Sequence, residues 1–166
     1  MTSKDNLAIA CKVNAIGKGH YGIVGASTIP DSGLGLFAAR NYNAGETVCI
    51  YGGKYGHRLA GEFVLRLNSH FDVDAADGDS FDSIDCGRFV QHSDSDSVIN
   101  TDYRIRNIGG HPVAFVVTTK EVAAGSEFFV SYGPGYAFAN GMRSPIKTIA
   151  TRKECSRKHK KFCPEF

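Results

Sequence analysis

Gly33 and Gly35 stand two residues apart in Gly33-Leu-Gly-Leu-Phe-Ala-Ala-Arg40. Without side chains they let the backbone come close to a ligand. A hairpin turn through Asp31-Ser-Gly33 would use the same residues. The run lacks the third glycine and the following helix pattern of a dinucleotide-binding loop. Thiol chemistry has less support. None of the five cysteines, Cys11, Cys49, Cys86, Cys155 and Cys163, has an identifiable base partner. Cys155, His159 and Cys163 could supply three zinc ligands where a structural site takes about four. The simpler reading is a basic tail with two free thiols, and no metal is expected. The chain also carries 7 tyrosine hydroxyls. Taken singly, each is as readily a half-buried strand residue.

Short strands would have to position these groups. Runs rich in Val, Ile, Phe, Tyr and Thr recur between Gly, Asn and Asp clusters. They predict strands over 21–27, 34–39, 47–52, 80–85, 114–119 and 127–131, with 61–69 as a further candidate. Helix signals are few, and 143–157 is expected to form a short helix. Asn41-Tyr-Asn-Ala-Gly-Glu46 and Lys120-Glu-Val-Ala-Ala-Gly125 resemble each other as turns that lead into strands. Many short strands at close spacing predict a mostly-β fold. The 166 residues suit one domain with an adequate core.

The composition, 42% hydrophobic and 22% charged, lies within the globular range. No apolar run approaches the roughly 20 residues of a membrane helix. Met1-Thr-Ser-Lys-Asp-Asn6 is polar and lacks the apolar core of a signal peptide, so secretion by that route is not expected. Odd, scattered cysteines fit reduced thiols and an intracellular setting. The net charge of +2 hides an asymmetry. Residues 72–96 hold eight aspartates against Arg88, and residues 143–166 hold eight Lys or Arg against two Glu. Two readings stand: solvated loops and tail, or an acidic surface for a basic peptide beside a tail that touches nucleic acid.

Four segments in order resemble the SET-domain protein lysine methyltransferases. They are Ser27 to Arg40 followed by Ala44-Gly-Glu46, then Tyr51-Gly-Gly53, then Ile84-Asp-Cys-Gly-Arg-Phe-Val-Gln-His-Ser93, then Val122 to Gly133. The resemblance covers roughly residues 23–136. It implies a SET-domain fold of several small curved β-sheets with few short helices. Residues 1–22 would form lead-in strands, and 137–166 a basic C-terminal segment. Three departures mark this chain. Gln91 stands where the family has Asn, Ser126 replaces the first Glu of Gly-Glu-Glu, and the gap from His92 to Asn100 is longer.

The resemblance implies transfer of a methyl group from S-adenosylmethionine to a lysine amine, with no metal required. A free lysine titrates at about 10.4, so deprotonation at pH 7 costs about 4.6 kcal/mol. An apolar, aromatic channel lowers that cost, because burial disfavours the ammonium. Tyr132 takes the family's catalytic position. Tyr51, Tyr103 and Val130 take channel positions, and Tyr103 with Val130 is similar to monomethylating members. The cofactor-binding positions are Gly33, Leu34, Gly35, Leu36, Arg88, Phe89, Gln91, His92 and Tyr132, with Asn100 in support.

The implied substrate is a basic protein, foremost a histone tail, which places the chain in the nucleus as a chromatin regulator. The compact form without Cys-rich flanks is similar to small viral SET proteins, some of them dimeric. A homodimer is therefore among the implied partners, the charge of the basic tail adds a weak nucleic-acid contact, and no membrane is expected. The alternative, which Gln91 and Ser126 feed, is a catalytically weak or inactive SET-like peptide-binding module.

Overall fold

The computed structural model describes residues 22–76, 85–133 and 146–148. Among the described residues, eleven strands form four small sheets. β1 (Ile23–Ala26) pairs antiparallel with β2 (Leu34–Phe37). β3 (Thr47–Ile50), β8 (Thr101–Ile108) and β9 (His111–Thr118) make an antiparallel sheet with β9 in the middle. β4 (Lys54–Gly56), β5 (Val64–Arg66) and β6 (Asp72–Asp74) form a third sheet, with β11 (Ile146–Thr148) parallel to β5 at its edge. β7 (Gln91–His92) pairs in parallel with β10 (Phe129–Val130). The one helical element among the described residues is a 3₁₀ turn, Gly87–Phe89. The architecture is mostly β, as the strand-rich composition predicts.

β9 explains most of the core. Every residue from Pro112 to Thr118 is buried, which suits the unbroken apolar run Val113-Ala-Phe-Val-Val117. Its two faces feed two clusters. Ala114 and Val116 join Leu36, Val48, Tyr51, Tyr103, Phe128 and Tyr132 in the larger one. Val113, Phe115 and Val117 join Ile50 and Ile108 in the smaller. Each fully buried aliphatic or Phe side chain contributes roughly 1.5–3 kcal/mol of transfer free energy.

The two similar turn segments meet. Tyr42 N–H donates to Val122 O at 2.8 Å, and Val122 N–H returns the bond to Tyr42 O at 2.9 Å. That pairing carries the chain from β2 to β3 alongside the passage from β9 to β10.

Two sequence expectations change. Within the segment expected to be helical, 143–157, residues Ile146–Thr148 are a strand. β-Branched Ile and Thr suit a strand, and β5 offers them an open edge to pair with. The rest of that segment lies outside the described residues, as do the lead-in 1–21, nearly all of the expected strand 80–85, and the basic tail after 148. The aspartate-rich stretch is also not uniformly surface. Asp72 is buried, and its carboxylate accepts from Arg66 Nε at 3.0 Å and Leu59 N–H at 2.9 Å.

Candidate active site

Glu127–Val130 is held along both sides, and the site is built around it. On one side Phe128 N–H donates to Leu36 O at 2.8 Å, and Ala38 N–H donates to Ser126 O at 2.8 Å. On the other, Gln91 N–H donates to Phe128 O, Ser93 N–H to Val130 O, and Asn100 N–H to Phe129 O. Asn100 is buried, and its carboxamide clamps the same strand twice. Nδ2 donates to Glu127 O and Oδ1 accepts from Phe129 N–H, both at 2.8 Å. Thr101 Oγ1 donates to Phe129 O at 2.8 Å.

The strand delivers Tyr132 into a buried position with two anchors. Its hydroxyl donates to Val90 O at 2.6 Å, and its N–H donates to His92 Nδ1 at 3.1 Å. An Nδ1 that accepts leaves the ring proton on Nε2, which donates to Asp94 Oδ1 at 3.1 Å. The His92 and Tyr132 rings stack with centroids 5.0 Å apart and 26° between planes. His92 thus acts as a platform for Tyr132.

The three tyrosines singled out in the sequence come together. Tyr51 and Tyr103 meet edge to face, with centroids 5.8 Å apart. The Tyr51 hydroxyl donates to Phe63 O at 2.8 Å. The Tyr103 hydroxyl is buried without a hydrogen-bond partner. Burial pushes it well above the ordinary phenol range, and the neighbouring Tyr132 and Tyr51 hydroxyls push the same way. It therefore stays protonated at neutral pH. Buried polar atoms are nearly always hydrogen-bonded, so this orphaned hydroxyl beside two other phenols is an exception that calls for an explanation. Val130 is buried in the same cluster.

The glycine loop lies on the other side of the strand. Ser27 N–H donates to Gly33 O at 2.9 Å and closes it. Gly33 has φ 75°, a conformation that favours glycine, and space beside it is open. Gly35 is needed for a different reason: a Cβ there would overlap Glu127 Oε1. Leu34 is exposed and Leu36 fully buried. The Gln91 side chain reaches this loop, where its Nε2 donates to Ser32 O at 3.2 Å and Leu34 O at 2.6 Å. Arg88 turns away to the third sheet. Its Nη1 donates to Ala75 O and Ala76 O, each at 3.0 Å, and its guanidinium lies 4.6 Å from the centre of the Phe89 ring.

Glu127 is the residue that sequence reasoning passed over. Its buried carboxylate accepts from Ser27 Oγ at 2.7 Å, Thr28 N–H at 2.8 Å and Thr28 Oγ1 at 2.5 Å. One charge inside the apolar run Glu127-Phe-Phe-Val130 was its available signal, since a buried carboxylate needs donors. Among the described residues no group of three His, Cys, Asp or Glu side chains converges as a metal site would require. The Cys49 and Cys86 thiols are free and buried, and desolvation pushes Cys49 well above its ordinary range, with the Cys86 thiol adding to it.

The segment that carries this closed glycine loop and buried tyrosine cluster matches a known family. The family model of the SET domain matches residues 33–133, and the chain belongs to the SET-domain family. Solved structures agree in fold. The chain of ctPRC2 in complex with H3K27me3 and H3K27M shares 22% identity at a TM-score of 0.61, covering 76% of this chain and 16% of that one. ctPRC2 in an autoinhibited conformation bound to S-adenosylmethionine shares 22% at 0.55, covering 67% and 15%. The Chaetomium thermophilum polycomb repressive complex 2 shares 23% at 0.56, covering 68% and 15%. At these identities the likeness shows the fold, and the chain spans about a sixth of the length of the first of these chains. No curated protein matches it.

Proposed function

We propose that this chain transfers a methyl group from S-adenosylmethionine to a lysine side chain in a basic protein segment, a histone tail being the foremost candidate. The observation that carries the reading is the orphaned Tyr103 hydroxyl, buried between Tyr51 and Tyr132. Its oxygen can accept an N–H of an amine entering as the neutral base, in apolar surroundings, which leaves the amine lone pair free. Membership of the SET family and the S-adenosylmethionine bound in a structural relative point the same way.

The residues present fit the cofactor. The loop Gly33–Leu36 gives open space at Gly33 and an exposed Leu34, and Gln91, His92 and Tyr132 adjoin the strand that pairs with it. When bound, the cofactor supplies a methyl group on a sulfonium, which needs no activation to leave. The chain's own residues do the rest. The aromatic cluster strips water from the substrate amine and lowers the cost of losing its proton. Tyr103 and Tyr51 orient the lone pair. Tyr132, held by Val90 O and the His92 ring, lines the methyl path. Alignment of this kind is worth several kcal/mol of barrier.

The histone tail draws support from the H3 species carried by the first relative, and from the exposed Asp94 and Asp96 just after His92. That substrate would place the chain at chromatin in the nucleus. Val130 and Tyr103 favour monomethyl product. Labelled methyl transfer to core histones, run beside Tyr132→Phe, tests the reading. Transfer by the native chain alone supports it. Equal transfer by both removes Tyr132 from its role. Failure of the native chain to bind S-adenosylmethionine in calorimetry leaves the non-catalytic peptide-binding module.

A further inference from the structure

The loop from Ser27 to Leu34 is gripped at both ends by side chains from distant parts of the chain. At its start, the Glu127 carboxylate takes three donors from Ser27 and Thr28. At its far end, Gln91 Nε2 donates to the carbonyls of Ser32 and Leu34. Between the grips the backbone turns left-handed twice, once at a residue that carries a side chain. Asp31 (φ 61°) and Gly33 (φ 75°) are both left-handed and flank Ser32. Such backbone persists where surrounding contacts over-determine it. Among the described residues, the one side-chain bond to the Ser32 and Leu34 carbonyls is that of Gln91.

We propose that Gln91 is a positioning residue, whose carboxamide holds Ser32–Leu34 in the shape that receives the cofactor. The proposal rests on the reading of this loop as the cofactor's seat. Its Nε2 acts through the two loop carbonyls it holds. Side-chain length is the reason for Gln here. The Gln91 backbone is tied to Phe128 O at 3.2 Å, so the strand cannot move toward the loop. An Asn is shorter by one C–C bond, about 1.5 Å, and cannot reach both carbonyls from that position. The Gln that departs from the family pattern is therefore matched to this loop.

The test compares the native chain with Gln91→Met, which keeps length and removes the donors, and Gln91→Asn, which keeps the donors and removes length. Hydrogen exchange without cofactor is read over residues 28–36. The Met variant should exchange about tenfold faster there, with the Asn variant intermediate and β8–β9 unchanged. With S-adenosylmethionine, Kd and KM should rise about tenfold in the Met variant while kcat stays within about twofold at saturation. Unchanged loop exchange, or a fall in kcat at constant KM, overturns the proposal. If the native chain does not bind S-adenosylmethionine, the methyltransferase reading fails, and loop exchange alone decides whether Gln91 holds the loop. The smaller, polar Asn variant keeps the comparison decisive should the Met variant not fold.

Discussion

The Glu127 carboxylate fills the space that any side chain at position 35 would need. A Cβ on Gly35 would overlap Oε1 and lie 2.8 Å from the carboxyl carbon. Gly35→Ala must push the carboxylate off Ser27 and Thr28, leaving a buried charge without its donors. The expected cost is about 2–4 kcal/mol. Glu127→Ala alone should cost about 1–2 kcal/mol through the lost charge-assisted hydrogen bonds, since half-exposed Ser27 and exposed Thr28 can turn to water. Because the second change removes the first one's clash, the double variant should lose about 1–2 kcal/mol less than the sum. Urea unfolding of the four proteins measures the coupling, and strict additivity would contradict it.

Asn100 bonds Glu127 O and Phe129 N–H with one carboxamide. Asn100→Ala leaves both backbone groups buried and unpaired, for about 3 kcal/mol. Asn100→Asp keeps the acceptor but sets a carboxylate against the Glu127 carbonyl, and should cost at least as much. Denaturant midpoints for the two variants check this. An Asp variant as stable as the native chain would show that the Nδ2 bond contributes nothing.

The orphaned Tyr103 hydroxyl predicts a gain on its removal. Tyr103→Phe deletes an unsatisfied buried polar group and should stabilise the ligand-free chain by about 1 kcal/mol. The same deletion opens room at the amine end of the cluster, so product should shift from monomethyl- toward dimethyl-lysine. Thermal unfolding reads the first effect and mass spectrometry of the peptide product the second. Destabilisation would mean the hydroxyl has a partner after all.

Alkaline titration should show buried phenols. Burial pushes Tyr42, against the pull of Arg40, and Tyr55 from 10.0 to about 12, and Tyr103 higher in direction. Above 10.0 the unfolded chain gives up these protons while the folded chain keeps them. The folded state then binds more protons, so stability is full below about pH 10 and falls as pH rises through the folded values. Of the 7 tyrosines, these three should ionise together with unfolding. Tyrosinate absorbance that completes before far-UV circular dichroism changes would contradict this.

Strand content was largely legible, for reasons that differ by element. β9 could be read from its unbroken apolar run, which only a strand covered on both faces accommodates. β8 was missed because its exposed Arg104, Ile105, Arg106 and Asn107 hide the alternation. β6 was hidden among aspartates, one of which is buried against Arg66. The tyrosines were legible as candidates from the spacing of family motifs. Glu127 was not, because nothing local says that Ser27 and Thr28 will surround it.

The sequence by itself determined that this is a small, mostly-β SET-domain chain, since strand propensity and ordered motifs are properties of neighbouring residues. It determined which hydroxyls and glycines are available for chemistry. Only the tertiary structure decided what they face. Ser27 meets Glu127 across 100 positions, and Gln91 meets Ser32 across 59. Such contacts depend on strand register, where a shift of one residue turns every side chain to the other face. Register is set by the packing of all four sheets together, so the roles of Glu127 and Gln91 emerge only when the chain is folded.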